Sequence, residues 1–157
     1  MGGRKICLWR WKDGRIMKGN IVRNEERFVM RYNSVLDLHT HTVASGHAYC
    51  SLREMAKAAS EKGLEVLGIT EHAPSMPGTC HKFYFNNLKV VPREMYGIQL
   101  LLGSEVNILD AQGTVDLGQH TLSSMDVVIA SLHTPCMKPA SKLENTEAYL
   151  NVNISNG

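Results

Sequence analysis

Two histidines one residue apart, His39 and His41, close the short apolar run Leu36-Asp37-Leu38. Side chains alternate along a strand, so both rings face the same way with Cα atoms about 6.6 Å apart, a spacing that suits a chelating pair. The layout recurs. Val66–Thr70 runs into Glu71 and His72, Leu100–Ser104 into Glu105, and Val127–Leu132 into His133, while His47 stands in the loop after the first run. The candidate metal ligands are therefore His39, His41, His47, His72, Glu105 and His133. Imidazole and carboxylate donors favour zinc, manganese or iron over calcium or magnesium, which prefer all-oxygen shells. Six donors exceed what one tetrahedral zinc needs, so more than one ion is expected, and Glu105, with two oxygens, suits a bridge.

A single histidine at a strand end is more often a hydrogen-bonded structural residue than a ligand. The balance shifts here because five of the seven histidines share one topological position or its adjoining loop. His81 and His120 lack that setting: His120 reads as a surface residue, and His81 with Lys82 as a candidate phosphate contact. Asp37 is buried by pattern and needs a partner, either a ligand imidazole or a backbone amide. Glu71 reads as support behind the ligands or as a solvated group. The chain has no glycine-rich phosphate loop, no nucleophile elbow and no CxxC pair.

The elements that must position these residues follow from periodicity. Val35–Leu38 reads as a strand. Ser51 and Glu54 form a capping-box pattern that starts a helix over 52–62, which Gly63 stops. Leu64–Thr70 is the next strand and completes a βαβ unit. Residues 73–82 read as loop, Arg93–Tyr96 as a short helix after Pro92, and Ile98–Ser104 as a strand. Val106–Leu109 and Thr114–Leu117 flank a turn at 110–113, Asp126–Leu132 is a fourth buried strand, and Asn145–Val152 a helix. Near-continuous apolar strands alternating with helices give an α/β fold with a parallel sheet. Ligand types at four successive strand ends favour a curled, barrel-like sheet over a flat one, since closure makes those ends converge.

The chain has 157 residues, 43% of them hydrophobic, and fits one domain. Nine Lys/Arg against three Asp/Glu fall within residues 1–33, so the basic surplus is N-terminal. Residues 1–31 read as a basic, poorly ordered N-terminal extension, and 32–157 as the patterned domain. A nucleic-acid role would use the basic residues on phosphates and Trp9 and Trp11 for stacking, but the appended tail is the simpler account. Four scattered cysteines read as free thiols in a reducing cytoplasm. No run of about 18 apolar residues marks a membrane span, and no apolar run of signal-peptide length follows the basic start.

Asp37-Leu38-His39-Thr40-His41-Thr42, then Ala44-Ser45-Gly46-His47-Ala48-Tyr49, Ile69-Thr70-Glu71-His72, Gly103-Ser104-Glu105-Val106-Asn107 and Ala130-Ser131-Leu132-His133 together resemble the PHP superfamily (polymerase and histidinol phosphatase). The likeness is strongest to its small stand-alone bacterial phosphatases. It implies the N-terminal part, about four strands, of a distorted (β/α)7 TIM-like barrel with up to three divalent ions, zinc or manganese, at the strand C-terminal ends. It also implies that His39, His41 and Glu105 hold one ion, Glu105 and His133 a second, and His47 and His72 a third. Glu105 and His133 are then the candidate catalytic residues. In such sites a hydroxide held by metal attacks a phosphomonoester in line.

Two later signatures of the family, an H-P motif and a closing D-x-H, are not found up to residue 157. This predicts a C-terminally truncated phosphatase domain with weakened metal binding and activity, prone to self-association through an open sheet edge. The expected partner is a small phosphorylated substrate, with no membrane contact. The alternatives are a PHP-type nuclease module acting on nucleic acid and a non-catalytic metal-binding fragment.

Overall fold

The computed structural model describes residues 7–12, 15–24, 27–137 and 140–152. Its N-terminal strands are β1 (Cys7–Lys12), β2 (Arg15–Asn24) and β3 (Arg27–Ser34), an antiparallel sheet in that order. The expected N-terminal extension, residues 1–31, carries these strands where it is described.

The second sheet carries the site. Its strands are β4 (Leu36–Thr40), β5 (Val66–His72), β6 (Glu94–Met95), β7 (Ile98–Asn107) and β8 (Val127–Ser131). β4, β5, β7 and β8 are parallel in that spatial order and curl into part of a TIM-like barrel. Helix α1 (Leu52–Glu61) links β4 to β5, starting at the expected capping box, where Ser51 Oγ accepts from the Glu54 amide and the Glu54 carboxylate accepts from the Ser51 amide. Smaller helices α2 (Lys82–Asn87) and α3 (Gln119–Leu122) precede β7 and β8, and α4 (Lys142–Asn151), with its own capping box at Ser141 and Glu144, follows. Among the described residues no helix is long and apolar enough to cross a membrane.

Alternation along β5 and β7 separates two environments. Leu67, Ile69, Leu100, Leu102 and Val106 face Ala56 and Ala59 of α1 and Phe85 of α2, forming the core. The opposite face carries Thr70, His72, Glu105 and Asn107, all buried. The sheet closes tightly at Gly103, where a Cβ would lie 1.7 Å from the Val127 carbonyl oxygen, so only glycine lets β7 and β8 pair there. Beyond β8, the Leu132 amide is bonded not by a strand but by Tyr149 Oη of α4, at 3.2 Å.

The short helix expected over Arg93–Tyr96 is a hairpin instead. Glu94 and Met95 pair antiparallel with Gln99 and Ile98, and the two residues between, Tyr96 and Gly97, have φ of 54° and 75°. Positive φ at both central positions defines a type I′ turn, which outweighs the helix signal of Pro92. The helix in this region is α2, begun by His81, whose Nδ1 accepts from the Phe83 amide. The turn at 110–113 is present, closed by a Gly113 amide to Asp110 carbonyl bond and an Ile108–Val115 bridge.

Candidate metal centre

His39 is the penultimate residue of β4 and His41 follows the strand, His72 closes β5, Glu105 lies near the end of β7, and His133 sits two residues past β8. His72 and Glu105 are register partners, as are Glu105 and Ile129, so parallel pairing alone brings their levels together. His47 arrives from the loop after a single turn of 3-10 helix, Val43–Ser45. All six expected residues converge. Glu105 Oε2 lies 3.2 Å from His39 Nε2, 3.3 Å from His41 Nε2 and 2.9 Å from His72 Nδ1, and Oε1 lies 3.4 Å from His133 Nε2. His47 stacks obliquely on His41 and His72, with ring centroids 5.4 and 4.8 Å away.

Three overlapping donor sets result: His39, His41 and Glu105; His72, Glu105 and His133; and His41, His47 and His72, each with its ligand atoms within 4.8 Å of one another. They differ from the expected division in that His72 joins Glu105 and His133, and His41 joins His47 and His72. Glu105 is 4% exposed while His39 is 46% exposed, so the site is deep at the carboxylate and open at β4.

The residues fit metal ions. His72 Nδ1 is buried and makes no hydrogen bond, because its 2.9 Å approach to Glu105 lacks the angle for one. Other rings are held through the nitrogen that turns away from the carboxylate. His41 Nδ1 meets Ser45 Oγ at 3.0 Å, and Ser45 donates its only proton to Glu71 Oε2 at 2.5 Å, so His41 Nδ1 is the donor. His47 Nδ1 faces the Ser45 carbonyl at 3.1 Å, and a carbonyl accepts only. The Nε2 lone pairs of His41 and His47 are thereby turned to the site, where lone pairs facing a carboxylate require a proton or a metal ion between them.

Ionisation follows the same geometry. His72 is pushed down to about 4, chiefly by burial, against the attraction of Glu105 and with the help of the neighbouring rings of His41, His133 and His47. Burial works to raise Glu105, but hydrogen bonds from His41, Ser131 and His39 outweigh it and hold the carboxyl well below the ordinary range.

Several functional side chains escape a ligand-only reading. Glu71 is fully buried on the face opposite His72, where it accepts from the Thr42 amide, from Thr42 Oγ1 and from Ser45 Oγ. Of its two expected roles, support behind the ligands is the one the geometry matches. Ser45 also accepts from the His72 amide at 3.0 Å. Asn107, two residues beyond Glu105 on the same face, meets His133 Nδ1 at 2.7 Å; that i, i+2 spacing was the available signal. Asp37 accepts from the His39 amide at 3.3 Å, one of its two expected partners. His120 is exposed. His81 is exposed as the α2 cap and is absent from the three donor sets.

Comparison with known proteins gives the same outline. The PHP domain model matches residues 37–154. A probable phosphatase of Clostridium novyi (strain NT) is 57% identical over 123 residues, 78% of this chain and 50% of that protein. A probable phosphatase of Clostridium botulinum (strain Langeland) is 53% identical over 123 residues, with the same shares. One from Thermoanaerobacter sp. (strain X514) is 49% identical over 118 residues, 74% of this chain and 48% of its own. The chain spans about half the length of the curated relatives it matches. The strand-end histidines around a central buried carboxylate and the matched span together place this chain in the PHP domain family.

Proposed function

We propose that this chain is the metal-binding part of a phosphatase that hydrolyses small phosphomonoesters at a multinuclear zinc or manganese centre in the cytoplasm. One observation carries the reading: a single carboxylate, Glu105, has four imidazole nitrogens within 3.4 Å, and the buried His72 Nδ1 among them has no hydrogen bond. Bound divalent ions would supply Lewis-acid activation of water and neutralise charge on the phosphoryl oxygens. His39, His41 and Glu105 would hold one ion, His72, Glu105 and His133 another, and His41, His47 and His72 a third.

The chain's own groups do the rest. Glu105 spans two donor sets and sets their separation. Ser45 and Glu71 fix the orientation of His41 from behind, and the Ser45 carbonyl fixes His47. The open side at His39 admits a hydrophilic ester, while burial at Glu105 and His72 keeps bulk water from the far side. His133 and Glu105, the candidate catalytic residues, would act through the ions they hold.

Elemental analysis and p-nitrophenyl phosphate hydrolysis, before and after chelation and on His39→Ala, test the reading. Expected are bound zinc or manganese, turnover lost with chelator and restored by metal, and loss of both in the variant. A chain that holds metal at these residues and turns over no phosphomonoester would overturn it.

A further inference from the structure

Asn107 is completely buried beside the site, and its polar atoms are committed. Its Nδ2 donates to Asp116 Oδ2 at 2.6 Å and to the Ala73 carbonyl at 3.1 Å, and its backbone amide donates to Asp116 Oδ1 at 2.9 Å. Both side-chain protons are thus spent on acceptors. The remaining atom, Oδ1, faces His133 Nδ1 at 2.7 Å and Cys136 Sγ at 3.2 Å. Burial and the nearby Asp116 charge push the Cys136 thiol up, so it stays protonated and donates. An amide oxygen accepts only, which puts the proton of a neutral His133 on Nδ1 and leaves Nε2 with its lone pair toward Glu105. Asp116 is itself anchored by the Ser75 amide at 2.8 Å, in the loop after β5.

We propose that Asp116, acting through Asn107, is a positioning pair that fixes the tautomer of His133 and so makes Nε2 its metal-facing nitrogen. The inference rests on the reading of His133 as a ligand. A free neutral imidazole in water prefers its proton on Nε2, which is the form that cannot bind metal from that side. Turning the Asn107 carboxamide over would offer His133 a donor and stabilise that wrong form. Asp116 forbids the turn, because it would bring Oδ1 against a carboxylate. The charge of Asp116 therefore reaches a ligand nitrogen without either residue touching an ion.

Long-range proton–nitrogen correlation spectra of the full metal-free chain at pH 8, with His133 assigned through His133→Gln, read the tautomer directly. The wild-type ring is expected as Nδ1–H. In Asn107→Leu and Asp116→Ala it is expected to move toward Nε2–H, with zinc affinity by chelator competition falling about 10–100-fold. Cys136→Ser, which keeps a donor to Oδ1, is expected to retain the wild-type form. An Nε2–H ring in the wild type, or Nδ1–H persisting in both variants, would overturn the proposal, and the wild-type spectrum decides even if a variant does not fold. A chain with Nδ1–H and tight zinc but no phosphatase turnover would sink the hydrolase reading and leave this one standing.

Discussion

His72 and Glu105 are register partners on adjacent parallel strands, and Nδ1 of one stands 2.9 Å from Oε2 of the other without a hydrogen bond between them. A site arranged this way depends on the carboxylate charge. Glu105→Gln keeps the shape and removes that charge, and the lost charged interaction is worth about 1.5–3 kcal/mol. Zinc titration of this variant is expected to show affinity about 10–100-fold weaker and fewer ions bound. Unchanged stoichiometry and affinity would remove Glu105 from the centre.

Acid should unfold the metal-free protein earlier than the metal-loaded one. Unfolded His72 takes a proton near 6.5 and the folded residue near 4, so between these values the unfolded state binds more protons. Stability contributed by its neutral form is full above about pH 6.5 and is lost as pH falls toward 4. The loss is on the order of 2 kcal/mol once partial solvent screening is allowed for. Glu105, held below its ordinary range, adds a loss in the same direction at lower pH. Circular dichroism against pH should show the transition moved to lower pH by zinc, and shallower between 6.5 and 4 in His72→Gln.

Ser45 is the smallest residue with the widest reach: its hydroxyl serves His41, Glu71 and the His72 amide. Ser45→Ala leaves two donors without an acceptor and Glu71 with one donor fewer. Thermal unfolding should fall by the equivalent of about 1–3 kcal/mol, and zinc affinity by about 10–100-fold. A variant with lower stability and wild-type zinc affinity would confine Ser45 to folding.

Gly103→Ala tests whether sheet closure sets the site. Its methyl group would collide with the Val127 carbonyl, forcing β8 away and His133 with it. Overpacking of this kind costs about 1–3 kcal/mol, and both melting temperature and metal binding should drop. Gly118→Ala, at a glycine with open space around it that caps α3, is the control: it should cost no more than the loss of a cap, about 1 kcal/mol, and leave metal binding unchanged.

The residues that converge on Glu105 could be read from sequence because each strand that carries one is a largely apolar run ending in a polar residue. That contrast survives without knowledge of neighbours. Ser45, Asn107 and Asp116 give no such contrast, since a serine in a loop or an asparagine at a strand end is ordinary until distant partners such as Glu71 for Ser45 and His133 for Asn107, each 26 residues away, are known. The hairpin at Tyr96-Gly97 was missed because Pro92 is equally at home in the first turn of a helix, and only pairing with β7 decides between them.

The hydrogen bond from the Leu132 amide to Tyr149 gives one backbone position a separate meaning. Amides of β8 that bond to β7 exchange with solvent only when the sheet opens, whereas Leu132 exchanges whenever the last helix lifts away. Its exchange rate, compared with those of Val128 and Ala130 and with Tyr149→Phe, therefore measures how firmly α4 is docked one residue from His133 and its contact with Glu105.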